Sequence, residues 1–254
     1  MKGIRAVFLR GGRNVDKIQQ LADYIDQSHS MVAITGAGIS LAGGGITYSQ
    51  LSRTVRSGLG GFGSDEFLRS YVKAMHNYKP SFSHYALRDL EAAGKLTGII
   101  TTNEDCMHTM AGSKNVAEIQ GGFQINRCSK CGRHYDGYEI WNQEELPKCE
   151  SCGGSIFPWE LYSHISLWDE GVQKAREWIS GADLILVIGT NGYYGSAYWD
   201  YRRRDAVIIQ INPGHTGFDR VAALNIREAC DDVFHKLIER WSGNGGTGNS
   251  EGTI

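Results

Sequence analysis

The sequence predicts an α/β protein in which a parallel β-sheet is covered by helices on both faces and a smaller second domain is formed by insertions. Apolar segments of strand length alternate with segments of helical period along most of the 254 residues. The strand segments hold few polar residues, which is typical of parallel strands buried on both faces. Two stretches, 49–80 and 124–165, interrupt this alternation, and together they would build the second domain.

The first helix, at 15–27, is indicated by Ile18, Leu21 and Ile25, which recur at helical spacing. A helix-like segment, 65–78, also lies inside the first insertion at 49–80. Along the rest of the chain, predicted strands alternate with predicted helices. Strands are predicted at 31–35, 97–101, 116–119, 183–189 and 206–212, and helices at 65–78, 84–96, 170–182 and 226–241.

The composition is that of an ordinary globular protein, with 41% hydrophobic and 21% charged residues. The formal net charge of −2 favours neither a nucleic-acid partner nor a membrane-binding surface. No apolar run approaches the roughly 20 residues that span a bilayer, and the first residues are too charged for a signal peptide. We therefore predict a cytoplasmic location, where disulfides are rare. The Gly/Ser-rich segment 242–254 is predicted to be a disordered tail.

Four cysteines predict a metal centre in the second insertion. Cys128 and Cys131 form one CxxC pair, Cys149 and Cys152 form another, and 17 residues separate the pairs. Two such pairs place four thiolates around one tetrahedral ion, for which Zn²⁺ is suited. Incidental cysteines and an iron centre are the alternatives. Four thiolates leave no open coordination position, so the zinc would be structural.

The stretch ITGAGIS (34–40) ends a strand and is predicted to open a helix. Gly36 and Gly38 remove side chains, so that backbone N–H groups can approach an anion at the helix start. The dinucleotide-binding pattern is incomplete, because Leu41 stands at its last position. A tight turn without a ligand is the alternative. A second strand with an acidic residue about 20 positions on is missing, which disfavours hydride transfer.

Several stretches together resemble one family. The motifs GAGIS, IITTNEDCMH, AGS, VAEIQG, the two CxxC pairs, VIGT and QIN occur in the order and rough spacing of the sirtuins, which are NAD-dependent enzymes. The resemblance covers about residues 30–240. It implies a Rossmann-like NAD-binding domain and a small domain with structural zinc. The implied bounds are 1–48, 81–123 and 166–241 for the large domain, and 49–80 and 124–165 for the small one.

The resemblance also implies the residues that bind and cleave NAD. Asn103 and Asp105 would lie by the nicotinamide and its ribose, and Gln120 would complete the catalytic set. Most of these positions follow a predicted strand, where open α/β sheets bind ligands. The implied NAD-binding residues are Gly36, Ala37, Gly38, Ser40, Thr47, Tyr48, Thr102, Gly189, Thr190, Asn191 and Asn212.

The sequence departs from the deacylating sirtuins around this site. Those enzymes carry histidine where this chain has Gln120, isoleucine at Glu104, glycine at Cys106 and glutamine at Thr102. A Pro-Asp-Phe-Arg stretch stands where this chain reads ITYS (46–49). The sequences GITYS, TTN and IQG resemble the class M branch, which is linked to macrodomain proteins. Members of that branch are protein mono-ADP-ribosyltransferases, whose usual acceptor is a lipoyl-carrier protein related to the glycine-cleavage H protein.

A glutamine at position 120 changes the chemistry that is open to the enzyme. Cleavage of NAD releases a neutral nicotinamide and can proceed without a strong base. Deacylation also needs a group that takes a proton from a ribose hydroxyl; histidine can do this, whereas a carboxamide cannot. Losing a general base typically costs about 10²–10⁴-fold in rate. Gln120 could still orient the ribose, or it could simply be a polar strand end.

We therefore predict an NAD-dependent protein mono-ADP-ribosyltransferase. Its expected partners are a protein acceptor such as a lipoylated carrier protein and a macrodomain hydrolase of the same pathway. The alternatives are a deacylase or NAD hydrolase, and a non-catalytic NAD-binding module. His108 could replace the missing base, although a packing role is favoured. Glu104 could contact an acceptor or a water beside the nicotinamide, although a solvated loop carboxylate is the favoured interpretation.

Overall fold

The protein is described by a computed structural model, which covers residues 16–45, 64–163, 166–192 and 195–244. Its centre is a six-stranded sheet in which every strand pair is parallel, in the order β3-β2-β1-β6-β7-β8. A second, two-stranded antiparallel sheet pairs β4 with β5. The strands are β1 (Met31–Thr35), β2 (Leu96–Thr101), β3 (Val116–Glu118), β4 (Asn126–Cys128), β5 (Ile156–Pro158), β6 (Leu184–Ile188), β7 (Val207–Ile211) and β8 (Leu224–Ile226).

Helices cover both faces of the large sheet. None of the described helices is long and apolar enough to cross a membrane. Short 3₁₀ turns follow several of the strands. The α-helices are α1 (Lys17–Gln27), α2 (Asp65–His76), α3 (Phe82–Ala92), α4 (Met107–Ala111), α5 (Trp159–Ser163), α6 (Asp169–Gly181) and α7 (Cys230–Asn244).

The large sheet is buried on both faces because each face packs against its own helices. All five residues of β1 and of β6 are buried. On one face, α1, α3 and α7 contribute residues such as Leu21, Leu87 and Phe234 to the core. On the other face, α6 contributes Ala175 and Ile179. The predicted parallel sheet with helices on both faces is confirmed.

A third core lies outside the sheet and joins the two insertions. Its members come from α2, from the loop after β2, from the turn after β3, and from the segment that runs from β4 through β5 to α5. Burial of these aromatic and aliphatic side chains holds α2 against the cysteine-bearing segment. The members of this third core are Phe67, Leu68, Tyr71, Val72, Met75, Cys106, Phe123, Trp141, Leu146, Ile156, Phe157 and Leu161.

The structure corrects the prediction in two places. Residues 224–226 form β8, so the last helix begins at Cys230 and not at 226. The short β8 pairs with the edge of β7, and backbone bonds to Ile209–Ile211 outweigh its weak strand pattern. The glycine loop opens two 3₁₀ turns, Ala37–Ile39 and Leu41–Gly43, where a helix was predicted. Glycines among these residues disfavour a regular helix.

Candidate functional site

The candidate site lies where the strand order of the sheet reverses. From β1 the chain continues outward to β2 and β3, and from β6 it continues outward to β7 and β8 on the other side. The carboxyl ends of β1 and β6 are therefore neighbours with diverging connections. Open α/β sheets bind their ligands in the crevice at this point. The loops that begin at Gly36 and Gly189 form its floor.

The glycines of the first loop allow the two loops to touch. Gly36 N donates to Ile188 O at 3.2 Å, and Gly38 N donates to Gly189 O at 2.9 Å. A Cβ at Gly38 would lie 2.7 Å from Gly189 Cα and O, which no side chain tolerates. The amides of Gly36 and Gly38 bond to the β6 end because the loops pack backbone to backbone. That other N–H groups of this loop face an anion stays a prediction. Glycine at positions 36 and 38 is therefore required at least for the close approach of this loop to the backbone at Gly189.

Three predicted residues come together above this floor. Ser40 Oγ donates to Asp105 Oδ2 at 2.6 Å, and Asn103 Nδ2 donates to Ser40 Oγ at 3.2 Å. Thr101 Oγ1 accepts from Asn103 N at 3.0 Å and fixes the loop after β2. All three side chains are buried. The arrangement holds the Asn103 amide and the Asp105 carboxylate in fixed positions, which suits a binding site.

Burial and hydrogen bonds compete at Asp105. Burial raises the pKa of this carboxyl, while bonds from the Ser40 hydroxyl and from Met107 N lower it. The next residue, Cys106, has a φ of 57° and begins α4 in the left-handed region. Glycine adopts this conformation without strain, which explains why a related chain would carry glycine here. The remaining predicted residue of the loop, Thr102, donates its N–H to Thr35 O at 3.1 Å.

Gln120 lies in a tight turn after β3, at the same carboxyl edge of the sheet as the loop after β2. The turn is closed by Gly121 N, which donates to Glu118 O at 3.1 Å, and Gly121 has a φ of 64°. The Gln120 side chain is half-buried and makes no hydrogen bond to another described residue. Its amide is therefore not engaged by another described residue.

The two histidines nearest the site do not supply a free base. His108 is buried and its Nε2 lies 2.9 Å from Thr35 Oγ1. Burial lowers its pKa well below the usual value, so the ring stays neutral. His84 is also buried, burial lowers its pKa to about 4, and its Nδ1 accepts from Ser81 N at 3.0 Å. Of the two readings of His108, its burial favours packing.

Glu104 is held by two partners that the sequence did not reveal. The Tyr71 hydroxyl lies 2.8 Å from Glu104 Oε2 and 3.0 Å from Glu160 Oε2. Tyr71 belongs to α2 and Glu160 to α5, so three distant segments meet at one point. The reading of Glu104 as a solvated loop carboxylate is therefore wrong. No local sequence pattern could have shown this, because the contacts span 33 and 89 residues of chain.

Glu118 is a further acid, half-buried, that the sequence analysis missed. Burial and the nearby charge of Asp105 raise the pKa of this carboxyl to about 8. Its carboxylate packs against Gly122, where a Cβ would lie 2.4 Å from Glu118 Oε2. In the sequence, only its position two residues before Gln120 pointed to a place for Glu118 in the site.

The predicted residues of the adenosine end follow β6 and β7. Gly189 has a φ of 60°, Thr190 is buried, and Asn191 is exposed. Asn212 donates its N–H to Ile226 O at 3.0 Å and its Nδ2 to Gly214 O at 3.0 Å. These residues share the carboxyl edge of the sheet with the glycine loop. Two other predicted residues, Thr47 and Tyr48, lie outside the described residues.

The four cysteines of the two CxxC pairs form one cluster. The Sγ atoms of Cys128, Cys131, Cys149 and Cys152 all lie within 4.8 Å of one another. Tetrahedral Zn²⁺ with Zn–S bonds of about 2.3 Å holds its sulfur ligands about 3.8 Å apart. The donor set and its spacing therefore fit a structural zinc ion. The remaining cysteines, Cys106 and Cys230, lie apart from the cluster and are buried.

Comparison with known proteins identifies the family. A model of the Sir2 family matches residues 62–193 of the chain. NAD-dependent protein deacetylase 1 of Pyrobaculum aerophilum is 31% identical over 244 residues, which cover 90% of this chain and 96% of the relative. This chain belongs to the Sir2 family. The predicted sirtuin resemblance is confirmed, and with it the NAD dependence that sirtuins share.

Other sirtuins agree in sequence and in fold. The NAD-dependent protein deacetylase of Clostridium perfringens is 32% identical, with 88% of this chain and 99% of the relative covered. The NAD-dependent protein deacylase of Thermococcus kodakarensis is 30% identical, with 86% and 93% covered. A solved structure of Sir2Tm bound to a propionylated peptide superposes with a TM-score of 0.72 at 26% identity. It covers 89% of this chain and 99% of that one.

Proposed function

We propose that this sirtuin is an NAD-dependent protein mono-ADP-ribosyltransferase, as the class M branch is. The observation that supports this most is Gln120, whose half-buried side chain has no hydrogen-bond partner among the described residues and cannot act as a base. The buried histidines nearby, His84 and His108, are held neutral away from it. An enzyme with this constellation can cleave NAD but lacks the imidazole that deacylation calls for.

The chain's own residues would drive the first step by position and charge. NAD is the substrate whose nicotinamide–ribose bond breaks, and nicotinamide leaves with the bonding electron pair. Asn103 and Asp105, fixed through Ser40, would hold the nicotinamide riboside and stabilise the positive charge on the sugar. Gln120 would hold the ribose hydroxyls by hydrogen bonds. The acceptor atom would then bond to the ribose carbon, and its proton would pass to solvent water.

An aromatic wall beside Gln120 supports a lipoyl-type acceptor. Trp159 packs on Gly121, where a Cβ would lie 2.8 Å from Trp159 Cδ1. Trp168 meets Trp159 edge to face, with ring centroids 4.9 Å apart. Both rings are half-buried and could line the path of an apolar lipoyl arm. A macrodomain hydrolase that removes the modification would be the natural partner of such a transferase.

Deacylation is the second candidate, because the curated relatives described above carry the names deacetylase and deacylase. The structure offers one residue that favours it. With a pKa raised to about 8, Glu118 is an acid near Gln120 that could exchange a proton close to neutral pH. In that case the purified protein would release acyl groups from lysine peptides.

One experiment separates the candidates. The purified protein is incubated with NAD labelled in its adenylate part, together with either a lipoylated carrier protein, the same carrier without lipoate, or an acetyl-lysine peptide. Transfer predicts label on the carrier, and deacylation predicts free labelled acyl-ADP-ribose from the peptide. Free ADP-ribose in every tube would indicate NAD hydrolysis. Brisk deacylation with unlabelled carriers would overturn the proposal.

A further inference from the structure

The contacts of Tyr71 with Glu104 and Glu160 limit the protonation states that the two carboxyl groups can adopt. A phenol carries a single hydrogen and can donate only one hydrogen bond. Two carboxyl oxygens nevertheless lie within hydrogen-bonding distance of its oxygen, at 2.8 Å and 3.0 Å. If both carboxyls were ionised, one of these contacts would place two unprotonated oxygens together. Without a neighbouring cation among the described residues to offset two negative charges, at least one of the two carboxyls must therefore carry a proton.

The surroundings of this triad, Tyr71–Glu104–Glu160, reinforce the condition. Tyr71 and Glu160 are buried, and Phe67 and Phe123 stack around the phenol ring. Burial raises the pKa of Glu104 well above its usual range, and so do the adjacent charges of Glu160 and Asp105. The charged groups that face Glu104 from α5 and from its own loop are thus acidic, while α2 contributes the phenol. The triad resembles other carboxyl pairs that share one proton.

Glu104 connects the triad to the proposed NAD site. It stands between Asn103 and Asp105 in the loop after β2, and its half-buried side chain contacts Tyr71. The nicotinamide ring that the proposed function places beside these residues is a cation in NAD⁺ and neutral in NADH. A carboxyl able to lose its proton there distinguishes the two forms by charge.

We propose that the Tyr71–Glu104–Glu160 triad is a specificity element for the oxidised cofactor: it shares one proton in the free enzyme and releases that proton when the cationic nicotinamide binds. This inference rests on the proposed NAD site but not on the identity of the acceptor. No bond other than an O–H bond breaks in this step, and the proton passes to solvent. Glu104 is the member that belongs to the loop of the proposed NAD site, whereas Tyr71 and Glu160 act through it.

Linkage fixes the direction of the pH effect. NAD⁺ favours the ionised triad, so NAD⁺ binding releases a proton and the affinity for NAD⁺ increases as pH rises through the titration of the triad. NADH brings no positive charge, so its affinity should change little over the same range. The ratio of the two affinities is therefore expected to increase with pH.

Calorimetry with the full chain tests this. NAD⁺ and NADH are titrated at several pH values in two buffers of different ionisation enthalpy, which reports the protons released per ligand bound. The wild type should release a fraction of a proton with NAD⁺ and none with NADH. Glu104→Gln should lose most of that release and bind NAD⁺ about tenfold more weakly, with NADH affinity nearly unchanged. An unchanged NAD⁺/NADH ratio in this variant would overturn the inference.

Two variants separate the triad from its surroundings. Tyr71→Phe keeps both carboxyls but removes the phenol between them, so proton release should move to a different pH. Glu118→Gln should leave release from the triad in place, although Glu118 is itself a half-buried acid with a raised pKa. Glu177→Gln, an exposed carboxyl on α6, is the matched control and should behave as wild type.

The result also separates this inference from the proposed function. Proton release that depends on Glu104, in an enzyme that labels no carrier, would support the triad and oppose transfer. NAD⁺ binding without any proton release would overturn the triad and leave transfer open. Circular dichroism shows whether the Glu104→Gln variant is folded. Glu160→Gln removes the other carboxyl that can hold the shared proton and so tests the inference independently.

Discussion

A single amide decides which half of sirtuin chemistry this protein is expected to perform. Gln120 is placed by the turn after β3, where Gly121 adopts a φ of 64° that other residues rarely tolerate. The turn fixes where the side chain lies, and its chemical type fixes what it can do. The position of the side chain and its proton affinity are thus separate properties. A substitution at position 120 can restore a basic group there while the surrounding loops still differ from those of deacylating sirtuins.

Gln120→His tests that separation. Restoring an imidazole would be worth about 10²–10⁴-fold if the base were the only missing part. We expect less than about a tenfold gain in deacetylation of an acetyl-lysine peptide, because ITYS at 46–49 and Glu104 also differ from deacylating sirtuins. The measurement is release of acetyl-ADP-ribose by mass spectrometry.

Gln120→Ala is the matched control for this substitution, since it removes the hydrogen bonds without adding a base. Its ADP-ribosyl transfer should fall about tenfold, the usual value of a hydrogen bond to a charged or reacting group. Robust deacetylation by Gln120→His alone would contradict the view that several positions act together.

The helix α3 carries a buried histidine that should make stability depend on pH. His84 closes a capping box at the start of this helix by accepting from Ser81 N at 3.0 Å. Burial lowers the pKa of this histidine from 6.5 to about 4. Between pH 6.5 and 4, His84 is therefore protonated in the unfolded chain but neutral in the folded protein. Its contribution to the free energy of unfolding is fully present above pH 6.5 and is lost as pH falls toward 4.

Replacing this histidine by glutamine should remove that pH dependence. Glutamine at the same position can also accept from the cap N–H, as in the common capping box. For the wild type, His84 alone accounts for roughly 2 kcal/mol of lost stability between pH 7.5 and 5. Thermal melts should show a fall in Tm over this range that is about 4–8 °C smaller in His84→Gln. Equal falls in both proteins would refute the role of His84, with exposed His76 as a control site.

The elements that could be predicted from the sequence are those with a strong repeating pattern. Apolar runs such as 31–35 and 184–188 gave the central strands because full burial leaves no polar residue inside them. The short β8 was missed, since three residues carry no measurable period and pairing with β7 creates the strand. The Ser40–Asn103–Asp105 group was predicted by motif, whereas Tyr71 and Glu160 could not be, because only the fold brings them to Glu104.

In the protein as a whole, two kinds of stabilisation coexist. The large sheet has a double-sided core of strands and helices. The region of β4 and β5 has only three-residue strands and depends on the third core and on the cysteine cluster. Small domains with little core commonly need a metal to fold. This difference predicts that metal loss would affect the two parts unequally.

Zinc removal should therefore unfold the small part while the sheet persists. Cys149→Ser is expected to lower bound zinc well below one ion per chain and to cost several kcal/mol, or on the order of 10 °C in Tm. Trp141 reports on this region, because its Nε1 donates to Phe123 O and Asn126 Oδ1, both at 3.1 Å. Its indole N–H signal in NMR spectra should move to the random-coil position in the variant.

The matched control for that substitution is Ser151→Ala, an exposed residue inside the same CxxC pair that offers no ligand. It should retain one zinc ion and the native Trp141 signal. Most helical circular dichroism should survive in Cys149→Ser, because α1, α3, α6 and α7 pack on the large sheet and not on the metal region. If Cys149→Ser kept its zinc and its Trp141 signal, the cluster would not be a four-thiolate site. If all helical signal vanished together with the metal, the two parts would fold as a single unit, and the large sheet could not stand without the ion.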